Sequence, residues 1–408
     1  MTIIESFEKA PIENMISVLT SKARKVIFLG ELSQMKNAVE VYEKFLKEKG
    51  IETEIVLRGI QKNNLPNILG TLTEIVETEE DCILDATGGE DLVLLAFGII
   101  YERYKGKKAL KMQRFNINTG RIIDCDCDDE VTFEGSFSLD VKELISLYGG
   151  IVVPEQPQPM MQNAMEEVDK LWELARTNSA GWNTSISFLK EFERKGRTQS
   201  SLLEMDLDFR KAKEMIKDYD AKYKVVTKLL EEFKKEGFVR DLRINRDLIS
   251  YRYKNAFAKR CLTKAGDALE MKAYCEALHL AHNGKQYFND CYVGVTIDWD
   301  GVIHPMEENW KDTTNEIDLM LMRGLIPIFI SCKHGEIGEE ELYKLNTVAT
   351  RFGGKYARKM LIATKLEKKS VASMNSYMQR AKDMGIILVP NAGELTKKEW
   401  KERLKRIV

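Results

Sequence analysis

The segment from Asn315 to Gly335, Asn-Glu-Ile-Asp-Leu-Met-Leu-Met-Arg-Gly-Leu-Ile-Pro-Ile-Phe-Ile-Ser-Cys-Lys-His-Gly, constrains this chain more than any other. Two apolar runs flank Arg323-Gly324, the pattern of a tight hairpin between two buried strands. With Arg323-Gly324 as a two-residue turn, Met322 pairs with Leu325 and Asp318 falls opposite Phe329, with Ser331 and Lys333 on that same face. Ile326, Ile328 and Ile330 turn the other way, into a core. A carboxylate on one strand and an ammonium at the end of its neighbour are what metal-assisted phosphodiester cleavage requires. The acid binds the cation, and the lysine holds the attacking water and offsets charge developing on the phosphate. Pro327 is awkward in this pattern, because it has no N–H for a central ladder and fits an edge or a bulge better.

The elements around the hairpin extend the pattern. Ala265 to Leu278 reads as an amphipathic helix with Leu269, Ala273 and Leu278 inward and Glu270 near its start. Tyr292 to Asp298 is a strand, and Glu339 to Thr350 is a helix that would cover the sheet. The segment Arg351-Phe-Gly-Gly-Lys-Tyr-Ala-Arg-Lys359 supplies cations and two glycines, so Arg351, Lys355 and Arg358 are candidate phosphate contacts. Asp298 and Asp300 share a face as possible metal ligands, but Trp299-Asp300-Gly301 equally suits a turn. Cys275, His279 and His282 follow one another at helical steps without a second pair at zinc spacing, which favours a structural or surface role. Cys125-Asp-Cys127 reads as a solvated edge or loop, and His334, next to Lys333, as a possible leaving-group contact.

The first 150 residues alternate strand and helix. Lys25-Val-Ile-Phe-Leu-Gly30, Glu54 to Leu57 and Cys82 to Asp85 are strands, and Met35 to Lys49 and Glu90 to Tyr104 are helices. Strands buried on both faces imply a parallel sheet with helices on both sides, a Rossmann-like layout whose ligands lie beyond the carboxyl ends of the strands. Small residues at Gly30-Glu31-Leu32-Ser33 and Thr87-Gly88-Gly89 reach the same sheet edge, where helix amino termini favour phosphates. Neither a Gly-x-Gly-x-x-Gly fingerprint nor a Walker lysine is present, which disfavours dinucleotides and nucleoside triphosphates.

Val153-Pro-Glu-Gln-Pro-Gln-Pro-Met160 breaks this alternation and is the best linker in the chain. From Gln162 to Lys235 the sequence is helical and charged. A hairpin around Asn245-Arg246-Asp247 then resembles the wing of a winged helix. Three units result: residues 1–155, a Rossmann-like α/β domain; 156–258, a helical, winged-helix-like linker; and 259–408, a second α/β domain. A chain of 408 residues is long enough for such a division.

No apolar run reaches bilayer length, and the amino terminus lacks the regions of a signal peptide, so the expectation is a cytoplasmic protein with no membrane partner. Seven scattered cysteines fit reduced thiols better than a disulfide framework. From Tyr251 onward there are 26 Lys and Arg against 20 Asp and Glu, and before it 36 against 44. The excess of positive charge therefore falls in the unit expected to meet a polyanion.

A helix carrying Glu270, a strand, a strand carrying Asp318 and a strand ending in Lys333 resemble the core of PD-(D/E)xK nucleases, the restriction-endonuclease-like fold. Joined to a Rossmann-like first domain, this resembles the CRISPR-associated CARF nucleases of type III systems. The resemblance spans nearly the whole chain and is strongest from Gly266 to Met360. It implies a homodimer whose CARF domain binds a cyclic oligoadenylate, usually the tetra-adenylate, and thereby activates a Mg²⁺- or Mn²⁺-dependent nuclease acting on DNA, RNA or both with little sequence preference. Asp318 and Lys333 match the catalytic acid and lysine, and Glu270 the helix glutamate, with Asp318 and Glu270 as metal ligands. Ser331 stands where that fold often has a second acid, which leaves Glu270, Glu316 or a water to complete the metal shell. In the ligand pocket the resemblance places Gly30 to Ser33 and Thr87 to Gly89, with Arg114 and Asn116 on a later strand. A sensor-coupled transcription regulator using the winged helix without catalysis is the alternative. A nuclease-like domain that binds nucleic acid without cutting it is a further one, and a Rossmann oxidoreductase is disfavoured by the missing glycine fingerprint.

Overall fold

A computed structural model describes residues 1–125, 130–131, 137–153, 165–177, 179–199, 201–245, 248–304, 313–334, 337–366 and 370–407. The first domain is built on strands β1 (Thr2–Ser6), β2 (Lys25–Gly30), β3 (Glu54–Gly59), β4 (Asp81–Asp85) and β5 (Ala109–Asn116). Two further strands, β6 (Arg121–Asp124) and β7 (Glu130–Val131), extend one edge. The order is β3-β2-β1-β4-β5-β6-β7, parallel from β3 to β5 and antiparallel beyond. Helices α1 (Pro11–Ser21) and α2 (Leu32–Glu48) cover one face, packing on Ile3, Val26 and Phe28, and α5 (Val141–Leu147) packs against α2. Helices α3 (Leu65–Thr78) and α4 (Asp91–Tyr104) cover the other, on Ile4, Ile27, Leu29 and Leu84. Adjacent strand residues are thus buried on opposite faces, which is why these strands read as unbroken apolar runs. The chain winds outward from β1 to β3 and then returns to place β4 beside β1, so the topological switch point lies between β1 and β4.

One strand departs from the expected division. Strand β8 (Ile151–Val152) falls within the first unit by sequence, yet it pairs with the carboxy-terminal sheet, opposite Asp298 and Ile297. The chain therefore reaches the third domain before the proline-rich segment, most of which lies outside the described residues.

The middle domain runs α6 (Met165–Thr177), α7 (Ser179–Gly196), β9 (Arg197–Gln199), β10 (Glu204–Asp208), α8 (Phe209–Met215), α9 (Tyr219–Lys235), β11 (Val239–Ile244) and β12 (Leu248–Tyr253). Its sheet order is β11-β12-β10-β9, all antiparallel, and Phe192, Phe209, Tyr219 and Tyr223 lock the helices through edge and stacked ring contacts. Helix, strand, two helices and a hairpin that returns to the first strand form a winged-helix arrangement. Residues 246–247 at the wing turn lie outside the described residues.

The third domain opens with α10 (Ala256–Thr263), α11 (Asp267–Leu278) and a two-residue-strand hairpin, β13 (Ala281–His282) and β14 (Lys285–Gln286). Then come β15 (Asp290–Asp298), β16 (Thr314–Arg323), β17 (Ile326–Lys333), α12 (Glu340–Gly353), β18 (Arg358–Ala363), α13 (Val371–Asp383), β19 (Ile386–Val389) and α14 (Lys397–Lys405). The sheet order is β19-β18-β17-β16-β15-β8, with an antiparallel meander β15 to β17 and parallel strands β17 to β19. Leu319, Leu321, Ile328 and Ile330 share a core with α11 and the middle domain. Met320, Met322 and Phe329 face α12 and share a core with the first domain. One sheet thus separates the other two domains and is packed by both.

The hairpin forms, with a corrected register. Arg323 pairs with Ile326 and Met322 with Pro327, so Gly324-Leu325 is the turn and not Arg323-Gly324. Gly324 has φ +61°, and a hairpin turn with a left-handed first residue places glycine there. The correction shifts pairing by two residues, which keeps strand parity; Ile326, beside the turn, nevertheless packs with Phe329 and Met322 and not with Ile328 and Ile330. Pro327 is accommodated without a bulge: it is the second residue of β17, and pairing with β18 begins only at Ile328. Among the described residues, no helix is long and apolar enough to cross a membrane.

Candidate active site and ligand edge

The β16–β17 ladder ends at the pair Leu319 and Ile330, and there the strands part. Asp318 fills the gap. Its Oδ2 accepts from the Cys332 backbone N–H at 2.7 Å, from the Ser331 hydroxyl at 3.1 Å and from Lys333 Nζ at 3.5 Å. A backbone donor and a side-chain donor from the facing strand fix the carboxylate, and all three bonds fall on one oxygen. Oδ1 is left for another partner. Ser331 is 8% exposed and serves here as the donor that orients Asp318.

Lys333 lies between two carboxylates, 3.5 Å from Asp318 and 3.0 Å from Oε2 of Glu341 on α12. Burial pulls its pKa down, but Asp318 and Glu341 outweigh burial and hold the ammonium above its ordinary value. Glu341 was not singled out by sequence, because a glutamate in the first turn of a helix is an ordinary dipole partner.

Glu270 sits on α11, a helix buried along almost its whole length, with 3% of its surface exposed. Burial foremost, then the charges of Asp318 and Asp267, push its pKa up to about 8. Among the described residues, its Oε2 has no hydrogen-bond partner. Its Oε1 lies 3.6 Å from Lys264, whose ammonium is also 3.2 Å from Asp267 and 3.3 Å from Glu316. Arg260 holds the other side of the fully buried Asp267 at 2.6 Å. A cavity of about 470 Å³ opens beside this cluster, lined by Lys259, Arg260, Thr263, Lys264, Asp267 and Glu316 among others.

Among the described residues there is no group of three or more His, Cys, Asp and Glu gathered to hold a metal ion. What the site offers is two carboxylates with uncommitted oxygens, Asp318 Oδ1 and the orphaned, buried Glu270 Oε2. That donor set fits a hard divalent cation of the Mg²⁺ type, which keeps several waters and takes one or two carboxylates.

The remaining sequence candidates fall elsewhere. Asp298 is buried at the end of β15 and accepts from Gly301 N–H at 3.1 Å, so Asp298 to Gly301 forms a turn. His334 bonds Thr364 Oγ1 at 2.7 Å, and its carbonyl accepts from Asn183 at 2.6 Å. Cys275 is buried, His279 bonds the Cys275 carbonyl at 2.9 Å, and His282 lies beyond the helix on β13. Cys125 is exposed, and Cys127 lies outside the described residues.

Arg351, Lys355 and Arg358 are placed at the joint with the first domain and not beside Asp318. Arg358 pairs with Ile328 while Lys333 pairs with Ala363, so Arg358 is five residues, about 17 Å, along the strands from the lysine. Arg351 donates to the Tyr148 carbonyl at 3.0 Å, and Arg358 reaches Asn118 at 3.4 Å. Lys355 pairs with Glu13 of α1 at 2.9 Å, and the Tyr356 hydroxyl donates to the same carboxylate at 2.5 Å. Gly353 thus serves close packing, since a Cβ there would come within 2.9 Å of Pro327, and Gly354 supplies a left-handed φ of +54°.

In the first domain, β2 ends at Gly30, and Glu31, Leu32 and Ser33 form the exposed start of α2. Ser33 and Gln34 both donate to the Glu31 carboxylate, at 2.7 and 2.8 Å. Thr87 is buried behind β4; its N–H donates to Asp85 at 2.7 Å and its hydroxyl accepts from Phe115 N–H at 2.8 Å. Gly88 and Gly89 are tight positions. A Cβ would lie 2.8 Å from Glu8 Cγ at Gly88 and 2.8 Å from Ser6 Cβ at Gly89, where φ is +144°. Arg114 is exposed near the end of β5, and Asn116 closes the following turn by accepting from Asn118 N–H at 3.1 Å. Both loops therefore meet at the carboxyl ends of β1, β2 and β4. They are joined by Ser6 to Glu8, which sequence reasoning passed over because β1 was not recognised as a strand.

No protein-family model and no curated protein matches the chain. Solved structures do. Protein VC1899 from Vibrio cholerae superposes with a TM-score of 0.73 at 16% identity, over 99% of this chain and 97% of that one. Can2 from Sulfobacillus thermosulfidooxidans, solved in complex with cyclic tetra-adenylate, gives a TM-score of 0.65 at 15% identity, over 100% of this chain and 98% of Can2. The chain has the fold of Can2. The expected Rossmann-like first domain, winged-helix-like middle and second α/β domain are the architecture observed.

Proposed function

We propose that this chain is a cyclic-oligoadenylate-gated nuclease of type III CRISPR defence, a homodimer cleaving DNA or RNA with a divalent cation at Asp318 and Glu270. The observation that carries the reading is the convergence of Asp318, Ser331 and Lys333 at the parted strands with the buried Glu270 carboxylate nearby, in a fold shared end to end with cyclic tetra-adenylate-bound Can2. A divalent cation held there would supply a Lewis acid that lowers the pKa of a bound water and neutralises the scissile phosphate. Cys332 N–H and Ser331 hold the Asp318 carboxylate in one orientation, so no reorganisation is needed at the moment of reaction. Lys333, kept charged by Asp318 and Glu341, offers a fixed ammonium to the attacking water and the phosphate.

The ligand reading rests on the edge at the switch point, with Gly30 to Ser33, Thr87 to Gly89, Arg114 and Asn116 as contacts. Two copies of this edge across a two-fold axis match a near-symmetric ring, which is why a homodimer accompanies it. Gating follows from packing: Gly88 lies so near Glu13 that an added Cβ would come within 3.2 Å of its side chain, and Glu13 is held by Lys355 and Tyr356 of the third domain. A ring that binds one arrangement of this joint more tightly shifts the population toward it. The test is calorimetric titration of the protein with cyclic tetra- and hexa-adenylate, followed by cleavage assays on plasmid, single-stranded DNA and RNA. One ring per two chains, and cutting that needs both ring and cation, support the reading. Absence of ring binding refutes the sensor half, and ring binding without cutting favours the winged-helix regulator.

A further inference from the structure

The site contains a cation of its own. Asp267 is fully buried, Glu270 nearly so, and Glu316 and Asp318 stand two residues apart on β16. Arg260 is committed to Asp267, and Lys333 lies between Asp318 and Glu341. Among the described residues, the cation paired with Glu270 is Lys264, whose ammonium touches three carboxylates at once: Asp267 at 3.2 Å, Glu316 at 3.3 Å and Glu270 at 3.6 Å. Three carboxylates thus gather around one ammonium, and among the described residues the neighbouring Glu270 Oε2 has no hydrogen-bond partner.

We propose that Lys264 is a built-in counter-ion that competes with the divalent cation for the carboxylates of this site. Its side chain is 49% exposed, so the ammonium has a path to solvent along the cavity rim without moving the backbone. Metal binding at Asp318 and Glu270 brings two positive charges beside this ammonium, and like charges at such separations repel strongly. Lys264 then turns outward into the cavity that it lines with Lys259. Before metal arrives, it keeps the acidic cluster from repelling itself apart. The inference rests on the metal site proposed above and names a residue that sets its affinity.

The test measures Mn²⁺ binding directly, by electron paramagnetic resonance of free Mn²⁺, with full-length wild type, Lys264→Met, Lys264→Arg and Glu270→Gln, each also melted with and without Mn²⁺. Competition predicts that Lys264→Met binds Mn²⁺ about tenfold more tightly. It also predicts a lower metal-free melting temperature and a larger metal-induced rise in that variant. Lys264→Arg keeps the charge and should bind like wild type, so it serves if Lys264→Met fails to fold. An unchanged Mn²⁺ affinity in Lys264→Met, or a tighter affinity in Lys264→Arg, would overturn the proposal and leave Lys264 as a structural partner of Asp267. Wild type that binds no Mn²⁺, or Glu270→Gln that binds as well as wild type, would instead refute the metal site itself.

Discussion

Glu5 sits in the central strand of the first domain, beside Asp85 on β4, with neither carboxyl oxygen hydrogen-bonded. Burial, and then the charge of Asp85, hold its pKa well above the carboxylate range. Asp85 itself is pushed up to about 6, chiefly by burial, although Thr87 and Gln113 oppose the shift. The folded protein therefore keeps a proton that the unfolded chain loses above about pH 4.3, and stability falls as pH rises from there toward the folded pKa. Glu5→Gln imitates the protonated acid, so thermal melts should show it equal to wild type near pH 4 and about 1–3 kcal/mol more stable near pH 8. Ser331 makes the second residue-scale prediction. Its hydroxyl orients Asp318 through one hydrogen bond, so Ser331→Ala should slow cleavage about two- to tenfold and leave ring affinity alone. Such roles were only partly legible in the sequence. Asp318, Ser331 and Lys333 were placed on one face by strand parity, which survives a two-residue register shift. Glu341, Lys264 and Arg260 were not, since their meaning arises from elements far apart in the chain.

At the scale of elements, helices and strands with strong periodicity were legible, and short ones were not. β16 and β17 announced themselves because each is a long apolar run bounded by a glycine turn. β1 was missed although it is the middle of the five parallel strands: it has five residues, begins one residue into the chain and carries Glu5 where a core strand would show an apolar residue. The turn was misplaced by one residue because Arg-Gly and Gly-Leu both read as two-residue loops, and the left-handed φ of Gly324 decides between them. The segment after α12 shows another limit. Its arginines and lysines read as phosphate contacts in sequence, whereas in the fold Arg351 donates to a carbonyl and Lys355 pairs with Glu13. Helix α12 contributes Glu341, which steadies Lys333 from outside the hairpin. Glu341→Gln should lower kcat about tenfold with KM unchanged, a split that distinguishes a positioning role from substrate binding.

At the scale of the molecule, the carboxy-terminal sheet is packed on one face with the first domain and on the other with the middle domain. The proposed ligand edge is tied to the third domain, because Glu13 beside Gly88 is bonded to Tyr356 and Lys355. Tyr356→Phe removes one charge-assisted hydrogen bond across this joint. It should cost about 1–3 kcal/mol in stability and reduce the ring-dependent acceleration of cleavage, with ring affinity measured alongside. The central claim, a ring-gated hydrolase whose chemistry is at Asp318, is tested most directly by plasmid cleavage with Mn²⁺, with and without cyclic tetra-adenylate, for wild type and Asp318→Ala. The account predicts cutting by wild type only when ring and cation are both present, and a loss of about a thousandfold or more in Asp318→Ala with ring binding intact. Ring-dependent cutting that survives in Asp318→Ala would contradict it.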